Sequence, residues 1–432
     1  MSPSFETQLA SLAQSLRSGN LTLTDYLARL EAYFDKKNEP VQAFLPEENR
    51  FDRLRQEAAA LEAQYPDPSA RPPLYGVPIG VKDIFHVNGF KTQAGSKLPA
   101  DSLTGPEAES VTRLKQMGAL VLGKTVTTEF AYFAPGATRN PHNLEHTPGG
   151  SSSGSAAAVA AHLCPLTLGT QTVGSVVRPA SFCGVVGFKP TSGRISTAGV
   201  IPLSPTLDHV GVFTQDVAGA ALAASILCAD WQVVAPTDER PRLGIPTGPY
   251  LDRVGSDGLI HFQKTASKLT QAGFTVQSMA VMPDFDQIYE AHMALMAAEA
   301  AVVHQDWFGQ FGDRYRPKTA DLIKRGQNVS PTLIEAARTS RENLRDNLQT
   351  LMTEHNIDLW ISPAAVGTAP AGLDGTGDPV MNLPWTFAGL PALNLPSGFG
   401  ENGLPLGLQL SGGWYTDEQM LAWAEQIAEL VK

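Results

Sequence analysis

The sequence has few cysteines and no surplus of positive charge. Its 432 residues include three cysteines, and 32 lysines and arginines against 43 acidic residues give a formal net charge of -11. The cysteines, Cys164, Cys183 and Cys228, stand in apolar surroundings without metal-ligand spacing, so we expect buried thiols and no disulfide framework. The negative charge argues against a nucleic-acid-binding surface, so we expect no nucleic-acid partner.

Segments for membrane insertion and export are also missing from the sequence. No stretch approaches the ~18 consecutive apolar residues of a membrane-spanning helix. The N-terminal residues show no basic region followed by an apolar run. These absences predict a cytoplasmic protein with no membrane partner.

Motifs for metals, phosphates and dinucleotides are absent as well. The sequence contains no Cys-x2-Cys pair, no Gly-x4-Gly-Lys-Ser/Thr loop and no Gly-x-Gly-x-x-Gly fingerprint near its serine loops. We therefore predict neither a metal nor a cofactor, and a phosphate-cradling loop is disfavoured.

We expect catalytic residues in the stretch 149–178, GGSSSGSAAAVAAHLCPLTLGTQTVGSVVR. It contains two glycine-serine loops, one with Ser151 and one with Ser175, separated by a small-residue helix at 155–161 and a short apolar strand at 165–169. A flexible linker would not run into a helix and a strand. Turns of this kind leave main-chain N–H groups free to bind an anion.

The order of these motifs resembles the amidase signature family. Ser151 and Ser175 stand 24 positions apart, as in the family pattern, and the upstream segment 76–85, GVPIGVKDIF, supplies the family's lysine as Lys82. The resemblance implies Ser175 as the nucleophile, Ser151 as a bridging serine and Lys82 as the base. It also implies that backbone N–H groups of the loop bind the oxyanion, and the residues concerned are Thr172, Val173 and Gly174.

A lysine base must be uncharged to accept a proton from serine. Lys82 follows a predicted buried strand at 77–81, and Val81, Ile84 and Phe85 around it are apolar. We therefore expect its side chain to point inward, where burial lowers the pKa of an amine from its usual value of about 10.4.

Within the family, the pattern is similar to that of malonamidase-like enzymes, which also have Gly-Thr-Gln-Thr before the nucleophile and an arginine three residues after it. The resemblance implies that Gln171 and Arg178 contact the substrate, with Arg178 binding a carboxylate. The alternative is a structural arginine that donates to loop carbonyls. Val173 stands where most members have glycine, which favours a small or flat acyl group.

Two other nucleophile systems are alternatives to the serine-lysine arrangement. A Ser-His-Asp triad would use His142, His146 or His209, which lie near the serine loops. The Gly-x-Ser-x-Gly pattern at 150–154 has no strand directly before it, unlike a nucleophile elbow, so a histidine base is disfavoured. Cys183 is a weaker candidate for the nucleophile.

Short strands alternate with helices along the chain, which predicts an α/β fold with a central mixed, mostly parallel sheet covered by helices on both faces. No linker divides the chain, so we expect one amidase signature domain, 1–432. Within it, 1–65 would form N-terminal packing helices and 76–215 the catalytic core. The segment after Pro363 is rich in glycine and proline and predicts packed irregular structure near a pocket.

These patterns predict a serine amidohydrolase that cleaves the carbon–nitrogen bond of a small amide, for example a monoamide acid, through an acyl-enzyme. Alternatives are a carbamate hydrolase with the same triad and the A subunit of a tRNA-dependent amidotransferase. The glutamine-containing loop and the shorter chain argue against the A subunit. The expected partners are a small-molecule amide or carbamate and, in assembly, a second copy of the chain as a homodimer.

Overall fold

The computed structural model of the protein describes residues 6–235 and 239–432. Within these ranges, ten strands form one sheet. The strands are β1 Pro78–Lys82, β2 Leu120–Thr125, β3 Leu166–Gln171, β4 Val186–Lys189, β5 His209–Thr214, β6 Leu243–Thr247, β7 Val276–Ala280, β8 Leu359–Pro363, β9 Ala392–Phe399 and β10 Pro405–Ser411.

The sheet is mixed, with parallel ends and an antiparallel middle. Its strand order is β2-β1-β3-β5-β4-β9-β10-β8-β6-β7. The pairs within β2-β1-β3 and β8-β6-β7 are parallel at the two ends, and the five pairs between β3 and β8 are antiparallel. The prediction of an α/β sheet is confirmed, but "mostly parallel" is wrong, because a long loop joins β4 to β5 and a hairpin joins β9 to β10.

Helices cover the sheet on both faces, so the fold is a single α/β domain. They are α1 Leu9–Ser18, α2 Leu23–Val41, α3 Arg50–Gln64, α4 Glu109–Gln116, α5 Ser153–Ala160, α6 Val177–Cys183, α7 Val217–Leu227, α8 Ser256–Gln271, α9 Phe285–Val303, α10 Gln305–Phe311, α11 Pro317–Gly326, α12 Pro331–Glu354, α13 Leu383–Phe387 and α14 Asp417–Val431. Helix α5 packs on β1 and β3, and α6 packs on β4, β9 and β10.

The N-terminal segment forms the helices α1, α2 and α3, whose apolar residues are buried. Leu9, Leu12 and Leu16 of α1 are buried at helical spacing. The side chain of Thr22 caps α2 by accepting from the N–H of Asp25. These helices therefore belong to the main hydrophobic core. The first five residues of the predicted 1–65 segment lie outside the described residues.

The segment after Pro363 is more regular than the sequence predicted. It contains α13, a hairpin of β9 and β10 near the middle of the sheet, and the C-terminal helix α14. The sequence hides β9 because Pro396 and Gly398 lie inside it, and most of β9 and β10 is buried on both faces, so neither strand alternates.

The three cysteines are buried and unpaired, as predicted. Within residues 6–235 and 239–432, no helix combines the length and apolar character needed to cross a membrane.

Candidate active site

Lys82 is the last residue of β1, which lies between β2 and β3 in the sheet. Its relative exposure is 0%. Apolar strands on both sides force the lysine into the interior, as the sequence predicted.

Three hydroxyl groups surround the amine of Lys82. Its Nζ lies 2.7 Å from Ser151 Oγ, 3.1 Å from Ser152 Oγ and 2.7 Å from Thr170 Oγ1. Burial holds the pKa of Lys82 well below its ordinary value, and the negative charge of Asp208 opposes this shift. The site therefore favours a neutral amine next to groups that can both donate and accept a proton.

Ser151 lies in the glycine loop that precedes α5. The Gly150–Ser151 peptide is cis, and Gly149 adopts a positive φ of 81°. A Cβ on Gly149 would lie 2.8 Å from Pro179 Cα, so the loop and α6 can approach only because this residue is glycine. This close contact brings the first serine loop against the segment that carries Ser175.

Ser175 lies two residues before the start of α6 at Val177. Gln171 holds this loop: its Oε1 accepts from the N–H groups of Val176 and Val177 at 2.8 and 2.9 Å, and its Nε2 donates to Thr386 Oγ1 at 2.9 Å. Both ends of the Gln171 amide are thus used by the protein, which favours a positioning role over the expected substrate contact.

Backbone donors around Ser175 are free. None of the hydrogen bonds formed among the described residues uses the N–H of Val173, Gly174 or Ser175. A Cβ on Gly174 would lie 2.3 Å from Asn382 Oδ1, so glycine is required there. Three adjacent N–H groups without a protein acceptor can bind a negatively charged oxygen.

A small cavity of ≈ 10 Å³, about the size of one water molecule, joins the two serines. Its walls are mostly apolar. The lining residues are Ala131, Tyr132, Phe133, Ser151, Thr172, Val173, Ser175, Arg178, Leu203, Met296 and Pro379. Ser175 Oγ makes no hydrogen bond to any described residue, so Ser151 and Ser175 share this cavity without a direct bond between them.

Arg178 lies in the wall of the cavity, and its relative exposure is 1%. Its guanidinium donates to the carbonyl of Gly377, to the carbonyl of Gly150 at 2.5 Å and to Thr376 Oγ1 at 3.3 Å. Burial lowers its pKa to about 9, and the charge of Asp378 opposes this shift. These contacts match the alternative of an arginine that donates to loop carbonyls.

The structure brings Lys82, Ser151, Ser175 and the 171–174 loop together, while the candidate histidines lie elsewhere. Among the described residues, no histidine lines the cavity. His142 Nε2 contacts the carbonyl of Cys183 at 2.9 Å, and His209 Nδ1 contacts the carbonyl of Leu207 at 2.7 Å. Neither ring approaches Ser175 by a hydrogen bond.

The sequence did not reveal Ser152, Thr170 and Asp208 as members of the site. Ser152 adjoins Ser151 in the glycine loop, and Thr170 stands next to Gln171, so their positions in the motif were the available signal. Asp208 gave no signal, because only the tertiary fold brings it to Thr172, whose Oγ1 donates to it at 2.5 Å. No group of three His, Cys, Asp or Glu side chains within the described ranges is arranged to hold a metal ion.

Several sequence relatives of this chain are named as one subunit of a glutamyl-tRNA(Gln) amidotransferase. The A subunit of a glutamyl-tRNA(Gln) amidotransferase from Synechococcus sp. (strain CC9311) is 33% identical over 97% of this chain and 96% of its own. A protein of the same name from Syntrophobacter fumaroxidans (strain DSM 10017 / MPOB) is 30% identical over 94% of this chain and 93% of its own.

These relatives correct two expectations from the sequence. The prediction of a small-molecule substrate alone, with no nucleic-acid partner, is wrong, because enzymes named for a tRNA match nearly the whole chain. The argument from a shorter chain also fails, since 93% and 96% of the relatives' length is covered. Net charge summed over a whole chain does not report the local charge of one surface.

Two solved structures share the fold. An amidase crystal structure has a TM-score of 0.89 at 30% identity and covers 98% of this chain and 100% of its own. A structure described as a vestigial protein complex that reveals the origins of an s-triazine catabolic enzyme has a TM-score of 0.87 at 29% identity and covers 98% of both chains. The Amidase family model matches residues 22–421. The chain therefore belongs to the amidase family, and it is an enzyme that acts on carbon–nitrogen bonds.

Proposed function

We propose that the protein releases ammonia from a primary amide through an acyl-enzyme on Ser175. Ser175 Oγ attacks the amide carbon while Ser151 takes its proton and passes its own proton to neutral Lys82. The protonated lysine returns a proton through Ser151 to the leaving nitrogen, and water then hydrolyses the acyl-enzyme by the same route in reverse. The 2.7 Å contact between Lys82 Nζ and Ser151 Oγ, beside Ser175 in one cavity, carries this proposal.

The hydroxyl partners of Lys82 suit this relay. A neutral amine has one lone pair, so one of the three hydroxyls must donate to it. Ser152 Oγ already donates to the carbonyl of Thr170 at 3.1 Å. Ser151 and Thr170 are therefore the hydroxyls free to donate to Lys82, and Ser151 is the one that lines the cavity.

The free N–H groups of the 173–175 segment would stabilise the tetrahedral intermediate, together with the N–H of Thr172. The negative oxygen forms only during the reaction, so donors already in place lower the barrier instead of strengthening substrate binding. Each well-placed donor contributes about 3–4 kcal/mol to such a transition state.

We further propose that the protein acts as the A subunit of a tRNA-dependent amidotransferase, with glutamine as the amide and the released ammonia passed to another subunit. The near-complete match with proteins named as that subunit supports this role. The similarity to a chain described as part of a protein complex supports a partner as well.

The test is ammonia release from L-glutamine by the purified protein. The assay is run with the protein alone and after it replaces the A subunit of a bacterial glutamyl-tRNA(Gln) amidotransferase, together with its glutamyl-tRNA. Restored tRNA amidation that requires Ser175 would support the proposal. Failure to restore it with correctly folded protein would refute the A-subunit role.

A second candidate is an amidase that works without a partner, favoured by the amidase structure with a TM-score of 0.89. Under this candidate, the protein alone hydrolyses a primary amide, and added subunits change nothing. A panel of primary amides, anilides, monoamide acids and carbamates distinguishes the substrates, with Ser175→Ala as the control in each case.

A further inference from the structure

Asp208 connects two walls of the cavity. One carboxylate oxygen accepts from Thr172 Oγ1 at 2.5 Å, and the other accepts from the N–H groups of Leu203 and Ser204 at 2.8 and 3.0 Å. Thr172 begins the loop with the free N–H groups, and both Thr172 and Leu203 line the cavity. A single carboxylate thus fixes the distance between the loop and the wall.

The residues around Asp208 place it close to the end of β3. His209, its neighbour, pairs with Gln171 across the antiparallel β3-β5 ladder. On the other side, Glu299 of α9 accepts from Ser204 Oγ at 2.6 Å and from the N–H of Thr206 at 2.9 Å. We call the segment 203–208 the Asp208 loop. It is held by the carboxylate of Asp208, which belongs to the loop, and by the carboxylate of Glu299 from α9.

We propose that Asp208 is a positioning residue of this active site, which holds the Thr172 loop against the cavity wall and places a negative charge close to the end of β3, where Thr170 contacts Lys82. This inference rests on the proposed function of Ser175, Ser151 and Lys82. It concerns how the site is held and tuned, rather than which group attacks.

Lys82 and Asp208 influence each other's pKa, and helix α9 contributes two further titratable groups near them, His292 and Glu299. The negative charge of Asp208 opposes the lowering of the Lys82 pKa by burial. Burial raises the pKa of Asp208 to about 6, while its three hydrogen bonds and the charge of Lys82 lower it. From α9, His292 lies against Thr172, and burial lowers its pKa to about 3, so it stays neutral. Glu299 is the other acid bound to the Asp208 loop.

The pH dependence follows from these signs. Lys82 must be neutral, so loss of its proton sets the acidic limb of the pH–rate profile. Removing the charge of Asp208 lowers the pKa of Lys82 further, and the limb moves to lower pH by about one unit, the size expected for one nearby charge. A purely structural residue would change the rate without moving the limb.

The experiment measures the rate at which a fluorophosphonate labels Ser175 between pH 5 and 10, since this reaction does not depend on knowing the substrate. For Asp208→Asn we expect the limb about one unit lower and an alkaline rate reduced about tenfold by loss of positioning. Thr172→Val, which keeps the charge, should lose rate with an unmoved limb. Glu299→Gln, which loosens the same loop from α9, should also leave the limb unmoved.

An unmoved limb in Asp208→Asn overturns the proposal, whereas absence of Ser175 labelling in the wild-type protein refutes the proposed function instead. If Asp208→Asn does not fold, the reciprocal measurement replaces it. Loss of the lysine charge in Lys82→Met should raise the carboxyl pKa of Asp208, followed by carbon-13 NMR in protein labelled at aspartate. An unchanged carboxyl pKa in that variant overturns the proposal equally.

Discussion

Two buried lysines lie at the ends of strands in this fold, and their amines differ in their hydrogen-bond partners. Lys82 ends β1 and Lys189 ends β4, and both have 0% relative exposure. Lys82 contacts three hydroxyls, whereas Lys189 donates to the carbonyls of Leu390 at 2.6 Å and Pro190 at 3.0 Å. Burial lowers the pKa of both, for Lys189 to about 7.

The difference lies in the chemistry of the partners rather than in burial. A carbonyl oxygen can only accept, so it fixes the amine of Lys189 as a donor. A hydroxyl can accept from the amine and also give it a proton, so the bonds around Lys82 can reverse during a reaction. A lowered lysine pKa alone is therefore a weak sign of catalysis, and the partners have to be identified as well.

The largest expected effect is on turnover, which replacement of Lys82 should reduce far more than replacement of Lys189. Lys82→Met and Ser175→Ala should each reduce turnover by roughly 10⁴-fold or more, because the relay and the nucleophile act as one unit. Lys189→Met should leave turnover within a few-fold of the wild-type rate, since this lysine contacts neither serine. Steady-state ammonia release by these three variants and the wild-type protein checks this.

The double variant Lys82→Met/Ser175→Ala is the internal control, and its loss should not exceed that of the worse single variant by much. A Lys189→Met enzyme as inactive as Lys82→Met, with its fold intact, would contradict the contrast between hydroxyl and carbonyl partners.

A smaller effect is expected at Arg178. It lines the cavity as Ser151 does, but like Lys189 it donates to carbonyls, those of Gly150 and Gly377. Arg178→Lys should lower kcat about tenfold, because a lysine cannot hold both loops at once. The loss should be equal for a neutral amide and for a monoamide acid, and the Tm should fall.

Kinetics on the two substrates decide between the roles of Arg178. A rise in KM confined to the acid, with kcat and Tm unchanged, would restore the prediction from the sequence that this arginine binds a substrate carboxylate.

The smallest effect concerns stability at Lys189. Unfolded chains keep this lysine protonated up to about pH 10.4, while the folded protein loses the proton at about pH 7. The unfolded state therefore binds more protons between these values, and this group makes the wild-type protein more stable as the pH rises through that window. Lys189→Met lacks this gain, so the difference in unfolding free energy between the wild-type protein and this variant should grow by about 2–3 kcal/mol between pH 6 and pH 9.

Urea unfolding at the two pH values measures this deficit. Exposed Lys268 on α8 provides the control, because Lys268→Met removes a lysine from the surface and leaves the buried amine of Lys189 in place. A constant deficit for Lys189→Met would mean that this amine stays charged inside the fold.

Much of the site could be predicted from the sequence because its parts lie in short local motifs. Glycine loops, the strand before Lys82 and the spacing of the serines are properties of neighbouring residues. They place Lys82, Ser151, Ser175 and the 171–174 loop without knowledge of the sheet. The strands and helices from position 76 to 227 were predictable for the same reason, since apolar runs and caps are local signals.

The features that could not be predicted depend on contacts between distant segments. The direction of the central strands is set by how loops cross the sheet, and β9 was hidden by Pro396 and Gly398. The resemblance implied that Arg178 and Gln171 contact the substrate, yet both bind groups some two hundred residues away, at Gly377 and Thr386. Asp208 was missed for the same reason.

Because Lys82 and Lys189 are completely buried, their labelling can also report how the sheet unfolds. Acylating reagents react with neutral amines that they can reach, and the folded protein offers neither of these two. Brief exposure to such a reagent, followed by mass spectrometry of peptides, would modify them only in molecules whose strands have separated. Because one lies toward the parallel end of the sheet and the other in its antiparallel middle, the order in which they become labelled would show which part of the sheet opens first.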